Sequence, residues 1–330
     1  MINSPEVTLG IGTSRIASVR GGISTSKGLS LLTQASALGV STIDTADMYG
    51  QGEAEELIGK FLRKNNREDY TIISKAGFTW STSWKASLVK MGKPILRYAL
   101  KKLPQKVDQV AQQKREGAQT SGALNQDFSP NYLQKALCNS LSRLNTDYLD
   151  AFFLHAPAEI LDRDELYTFL DKIKVEGLTR KVGLCVPVHL LIHWPPSIVQ
   201  RFDFIQTSLN PYTGERLRSY LQEVGLVGSV PEIVGHAIFS SMGHWNNLLH
   251  TAPLKELLAG SPEHSAPQLL MSYAYSFDHV KTLLFGTTKQ SHLAKNVDVS
   301  HNLTTFSTDQ QIFIENQLRE YESKVATPRS

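Results

Sequence analysis

Four side chains of the kinds that move protons stand in three short segments: Asp44 and Tyr49 in IDTADMY, Lys75 in TIISKAG and His155 in AFFLHAP. Each segment follows or ends an apolar, β-branched or aromatic run of the sort that forms a buried strand. A carboxylate, a phenol, an ammonium and an imidazole at successive strand ends can converge on one pocket. Such a set suits protonation of a carbonyl oxygen while hydride from a bound cofactor reaches the carbon. Asp44 would hold Lys75 charged and oriented. The ammonium would lower the phenol's pKa from its ordinary value near 10. His155 would hydrogen-bond the substrate oxygen, and general acid catalysis of this kind is worth about 10²–10⁴-fold. Taken singly, each residue has an ordinary structural role: a strand-end cap, a packed aromatic, a surface charge, a core histidine. Their joint occurrence, in order and on matching elements, points to chemistry.

The elements that must position them recur along the 330 residues. Strands are expected at residues 7–12, 41–45, 70–75, 148–155, 182–186, 204–209, 233–239 and 282–286. Their continuous apolar runs suit parallel strands covered on both faces. Helical spacing fills the intervals at residues 26–38, 53–62, 130–144, 164–174, 215–224, 266–277 and 290–297, with a last helix at 308–324. Ser129-Pro130 reads as an N-cap followed by Pro in the first turn. Eight strands alternating with helices predict an α/β fold, a (β/α)8 TIM barrel forming a single domain over residues 1–330. Two Rossmann domains are the rival architecture, but LGIGTSRIASVRGG lacks the G-x-G-x-x-G spacing after the first strand. In such a barrel the chemistry sits at the C-terminal ends of the strands.

One segment exceeds a minimal barrel. Residues 80–128, after the third strand, form an insertion far longer than the usual connection of roughly 2–6 residues. It is basic: Lys85, Lys90, Lys93, Arg97, Lys101, Lys102, Lys106, Lys114 and Arg115 stand against Asp108 alone between residues 85 and 115. A lid over the barrel mouth that recognises an anionic or bulky substrate is one expectation. A solvated charged excursion is the other.

The segment GVSTIDTADMYGQGEAEELIG is similar to the signature of the aldo-keto reductases around their catalytic aspartate and tyrosine. With Lys75 and His155, the resemblance extends over nearly the whole chain. It implies Asp44, Tyr49, Lys75 and His155 as the catalytic tetrad, Tyr49 as proton donor, and a barrel that binds a nicotinamide cofactor without a Rossmann domain. On the same resemblance Asp44 also belongs to the cofactor site. Gln206, in FIQTSLNPY, would bond the nicotinamide amide. Ser241 would be a further cofactor contact, and its segment SSMG resembles sugar- and pyridoxal-oxidising branches. In LLFGTTKQSHLAKNV, Gly286, Thr287, Lys289, His292 and Asn296 would grip the adenosine end, with the helix N-terminus favouring its phosphate. Three positions depart from the common pattern. Cys185 and Val186 replace a Ser-Asn pair, Ala237 stands near the place of a stacking aromatic, and His292 replaces an arginine. Lys289 supplies a cation there, so NADP(H) is favoured over NAD(H).

The remaining bulk properties exclude more than they assign. A net charge of +3 does not imply a nucleic-acid partner. Two cysteines, Cys138 and Cys185, suggest neither a disulfide framework nor a metal site. The charge-free stretch 182–200 is broken by Pro187, Pro195 and Pro196, so no membrane span is expected. The N-terminus carries no signal-peptide pattern, and a cytoplasmic location follows as the expectation. The expected function is an NAD(P)-dependent oxidoreductase acting on a small carbonyl or alcohol compound. The alternative is an NADP(H)-binding regulatory module with little or no turnover.

Overall fold

The computed structural model describes residues 7–16, 23–79, 125–240, 242–257 and 265–326. Eight parallel strands close into a barrel in sequence order: β1 (Thr8–Gly12), β2 (Thr42–Asp44), β3 (Thr71–Ala76), β4 (Leu149–His155), β5 (Thr179–Cys185), β6 (Phe204–Ser208), β7 (Glu232–His236) and β8 (Val280–Phe285). β8 returns to β1 through Leu9↔Leu283 and Gly10↔Leu284, which leaves the barrel itself without a free edge.

Alternation along the strands separates two cores. Ile73, Ala151, Phe153, Cys185, Val234 and Leu284, with Phe204 against them, fill the barrel interior. Their neighbours Ile72, Phe152, Leu154, Leu184, Ile205, Ile233 and Leu283 face outward and pack under the helices. Both faces are therefore dry, which is why the strands read as continuous apolar runs. The interior is crowded enough to require glycine: a Cβ on Gly183 would come within 2.3 Å of the Phe153 ring.

The helices begin where their capping residues place them. Ser24 accepts from the Lys27 amide ahead of helix Thr25–Ala37, and Ser129 accepts from the Tyr132 amide with Pro130 in the first turn of helix Pro130–Leu144. Helix Glu53–Leu62 lies close on Pro130–Leu144, where the Gly59 Cα–H faces the Arg143 carbonyl; an added Cβ would come within 2.2 Å of that oxygen. A buried ion pair ties these two helices to β3. Arg143 donates to Glu55 Oε2 at 2.7 Å, and the Ser74 hydroxyl donates to Glu55 Oε1 at 2.6 Å.

Several boundaries differ from the sequence expectation. β7 ends at His236 rather than 239, because Ala237 takes a left-handed conformation (φ 53°) and turns the chain away. β5 starts at Thr179, where the exposed Arg180 and Lys181 hid a strand start: they pair with Asp150 and Asp203. The charge-free stretch 182–200 comprises the end of β5 and two one-turn helices, Val188–Leu191 and Pro196–Val199. Short helices Met242–Leu248 and Ala252–Leu257 follow β7. No helix among the described residues is long and apolar enough to cross a membrane.

Most of the basic insertion, residues 80–124, lies outside the described residues, so its expected role over the barrel mouth does too. Its neck is described. Phe78 and Gln126 form an antiparallel bridge, flanked by the Thr79 amide on Asn125 O (2.8 Å) and the Asp127 amide on Gly77 O (2.9 Å).

Candidate active site

Alternation carries upward from the interior core. If Ile73, Phe153, Phe204 and Val234 point inward, so do Lys75, His155, Gln206 and His236 near the C-terminal ends of β3, β4, β6 and β7. Asp44 ends β2, whose central Ile43 packs outward, so Asp44 shares the mouth. Three of the four tetrad residues thus come from neighbouring strands, and Tyr49 enters from the turn after β2.

Lys75 is fixed by two acceptors. Its Nζ donates to Asp44 Oδ1 at 2.6 Å and to the Thr45 carbonyl at 2.8 Å, with the side chain 1% exposed. An ammonium has three protons, so one remains for the pocket. Nζ lies 5.5 Å from the centre of the Tyr49 ring. Burial is the largest single effect and works against the lysine's charge, but Asp44, Tyr49 and Cys185 together outweigh it and the pKa is raised. Burial likewise raises the Asp44 carboxyl, against the pull of Lys75 and of the hydrogen bonds it accepts.

Tyr49 departs from the sequence expectation. Lys75 does draw its pKa down, yet burial is the larger effect and pushes it up to about 12. The phenol is therefore protonated at neutral pH, ready to give a proton rather than poised as phenolate. Its ring meets the His155 imidazole edge-on, with centroids 5.8 Å apart and planes at 82°. Phe78, from the insertion neck, also meets the His155 ring edge-on, at 5.0 Å and 81°. Burial, then Lys75 and His236, lowers the His155 pKa well below the usual 6.5, so this is a neutral imidazole. Its Nδ1 is buried without a hydrogen-bond partner among the described residues. The chain leaves β4 at once through Ala156, in a left-handed conformation (φ 49°) held by its amide on Cys185 O at 2.7 Å and by Gln126 Nε2 on its carbonyl at 2.8 Å.

Gln206 touches the same carboxylate oxygen as Lys75: its Nε2 donates to Asp44 Oδ1 at 3.1 Å. Since Asp44 only accepts, the amide orientation is set, and Gln206 Oε1 is buried with no donor among the described residues. A carboxamide N–H of a nicotinamide fits that acceptor. At the β1/β8 side of the mouth, added Cβ atoms on Gly12 and Gly286 would find nothing closer than 3.8 and 3.9 Å, so space lies open above both. Thr287 is buried and its hydroxyl accepts from the Lys289 amide at 3.1 Å, closing a turn into helix Gln290–Ser300. Lys289 and His292 are exposed at the start of that helix, and Asn296 is half-buried one turn on. Ser241 lies outside the described residues. Cys185 is buried against this floor, its thiol pushed up to about 12 by burial, which makes it an inert packing group.

His236 is the site residue that sequence reading missed. It ends β7 as a half-buried imidazole, pushed down to about 4 by burial and then by Lys75. The available signal was a histidine two residues past an inward Val234.

Comparison with known proteins identifies the family. The model of the Aldo/keto reductase family matches residues 8–314. L-Galactose dehydrogenase of Arabidopsis thaliana is 23% identical over 327 residues, spanning 93% of this chain and 88% of that protein. The uncharacterised oxidoreductase YqkF of Bacillus subtilis is 28% identical over 163 residues, which span 49% of this chain and only 41% of that protein. Among solved structures, the holo form of the aldo-keto reductase AKR11C1 from Bacillus halodurans superposes with a TM-score of 0.64 at 21% identity, covering 95% of this chain and 91% of that one, a likeness of fold. Nothing in these matches supports a regulatory module without turnover. The chain belongs to the Aldo/keto reductase family, and with it to the NAD(P)-dependent oxidoreductases that act on carbonyl or alcohol carbons.

Proposed function

We propose that this chain is an NADP(H)-linked oxidoreductase in which Asp44, Tyr49, Lys75 and His155 carry the proton chemistry and Gln206 seats the nicotinamide. One observation carries the reading: Lys75 and Gln206 converge on the single oxygen Asp44 Oδ1, while Gln206 Oε1 is left unpaired beside the tetrad.

Bound nicotinamide supplies or accepts the hydride. In reduction, Tyr49 gives its phenolic proton to the carbonyl oxygen as that oxygen gains charge. Lys75, held by Asp44, stabilises the phenolate left behind. In oxidation the same oxygen of Tyr49 takes the alcohol proton. His155, neutral and in edge contact with both Tyr49 and Phe78, orients the substrate oxygen by a hydrogen bond. The Phe78 ring and the barrel mouth exclude water from that oxygen.

NADP(H) is the cofactor reading because Lys289 is an exposed cation at the opening of helix Gln290–Ser300, where amides and the helix dipole favour a phosphate. The substrate is a small carbonyl or alcohol compound. An anionic or bulky one is favoured by the nine Lys and Arg of residues 85–115, in a segment that leaves the barrel at Thr79 beside Phe78. The test is a fluorescence titration with NADPH and NADH, followed by a turnover screen of aldehydes, ketones and sugars. Tighter NADPH binding with consumption on a carbonyl is expected. Failure of both dinucleotides to bind overturns the proposal.

A further inference from the structure

The imidazole of His155 is aimed by packing. Its Nδ1 is buried without a hydrogen-bond partner among the described residues, and the rings set edge-on to it are those of Tyr49 and Phe78. Tyr49 takes part in the reaction itself. Phe78 has no chemistry of its own, so its place decides how firmly the imidazole is held.

That place is set from the helix side of the neck. Phe78 stands opposite Gln126, and the ladder bonds of this bridge run between the flanking residues, Thr79 to Asn125 and Asp127 to Gly77. In such a pair the amides and carbonyls of the two central residues point away from the opposite strand. The Phe78 carbonyl therefore gains nothing from the neck. It accepts instead from the Tyr132 hydroxyl at 2.7 Å. Tyr132 lies in the first turn of helix Pro130–Leu144, and the same neck fixes it there. The Asp127 carboxylate accepts from the Ser129 amide at 2.8 Å, and the Ser129 hydroxyl accepts from the Tyr132 amide at 3.3 Å. The circuit closes: Phe78 across to Gln126, along the chain to Ser129 and Tyr132, and back to Phe78. Burial, then Asp47 and Asp127, pushes the Tyr132 phenol up to about 12, so it remains a donor at neutral pH.

Two further contacts stop the neck from sliding. Gly77 has φ 139°, and a Cβ there would come within 2.2 Å of the buried Phe128 ring. Gln126 reaches over the end of β4, donating to Ala156 O at 2.8 Å and accepting from the Ala158 amide at 3.1 Å. The backbone next to His155 is thus gripped through Gln126, and the imidazole through Phe78.

We infer that Tyr132 is a positioning residue for the reaction: its hydroxyl holds Phe78, and Phe78 holds the His155 imidazole at the angle that meets the substrate oxygen. This rests on the proposed function above. A merely structural tie lends stability and nothing more. A positioning tie also fixes the direction of a group that orients substrate, and a misplacement of about 1 Å there can cost about 10²-fold.

The experiment is a double-mutant cycle on the full chain, Tyr132→Phe with Phe78→Leu, read in two ways. On a carbonyl found in the turnover screen, kcat/KM should fall about 10-fold in each single variant, with NADPH affinity within about twofold of wild type. Because the hydroxyl acts through the Phe78 ring, Tyr132→Phe should add less than about twofold in the Phe78→Leu background. Without any cofactor, the imidazole NMR signals of His155, assigned through His155→Asn, should move in Tyr132→Phe while those of His236 stay. Losses that multiply in the double variant would overturn the inference, as would NADPH affinity falling in step with kcat/KM. Unchanged kcat/KM with unmoved His155 signals in Tyr132→Phe would do so too. A wild type that binds neither dinucleotide and turns over no carbonyl would instead overturn the underlying functional reading, and the NMR comparison would still test the coupling of Tyr132 to His155.

Discussion

Replacing Lys75 by methionine separates what the ion pair does for the fold from what it does for the reaction. The side chain is 1% exposed, with Nζ 2.6 Å from Asp44 Oδ1 and 2.8 Å from the Thr45 carbonyl. Methionine keeps much of the volume and removes the charge. Asp44, itself 6% exposed, would keep a single strong donor, Gln206 at 3.1 Å, and the Thr45 carbonyl would lose a partner. Removing one member of a buried pair costs about 3–5 kcal/mol. Against a total stability of about 5–15 kcal/mol that is a large share. Asp44→Asn in the same chain discharges the stranded carboxylate, so the double variant should regain most of the loss. Activity should not return with it. Without the ammonium, nothing opposes the burial that already holds Tyr49 at about 12, and proton donation weakens. A fall in kcat of about 10²–10⁴-fold is expected in both variants. Urea unfolding gives the stabilities, and steady-state turnover with cofactor titration gives the rest. If the double variant recovered turnover together with stability, the pair would be structural only and the reasoning would be refuted.

Three further outcomes follow from the same structure. Arg143→Ala leaves Glu55, whose side chain is fully buried, with the Ser74 hydroxyl as its remaining hydrogen-bond donor of the two identified above; urea unfolding should show a loss of about 3–5 kcal/mol, with kcat of the folded protein nearly unchanged. His155 and His236 bind protons more weakly in the folded chain than in the unfolded one, so the stability they confer is complete above the unfolded value near 6.5 and is lost as pH falls through the folded values, about 4 for His236. Their imidazole NMR signals should stay at the neutral position at about pH 6, and a midpoint near 6.5 for either would contradict this. Gln126→Ala removes the bonds to Ala156 O and from the Ala158 amide; a loss of about 1–3 kcal/mol and a raised KM for substrate are expected, with cofactor affinity unaltered.

The barrel and its tetrad were legible because the physics that exposes them is local. Strands dry on both faces must be apolar throughout, and a lone Asp, Lys or His at the end of such a run stands out. Ser129-Pro130 announced its helix for the same reason: cap and first turn are adjacent in sequence. Features set by burial in three dimensions were not legible. The spacing of Tyr49 and Lys75 suggested a lowered phenol pKa, but desolvation, invisible in the sequence, outweighs the ammonium. The strand at Thr179 was masked by Arg180 and Lys181, whose charges are paired across the barrel's lower rim with Asp150 and Asp203. Helices as short as Val188–Leu191 and Met242–Leu248 have too few residues to show a period. His236 escaped notice because its inward direction follows from Val234 two residues earlier, which only the barrel's closure makes evident.

The most direct test of the central claim is a single-turnover transfer from 4-deuterated NADPH to a carbonyl substrate, in the wild type and in Tyr49→Phe. The wild type should deliver deuterium to the carbonyl carbon. Tyr49→Phe should bind the cofactor as tightly and transfer at least about 100-fold more slowly. Transfer at the wild-type rate without the phenol, or no transfer from the wild type to any carbonyl, would contradict the account.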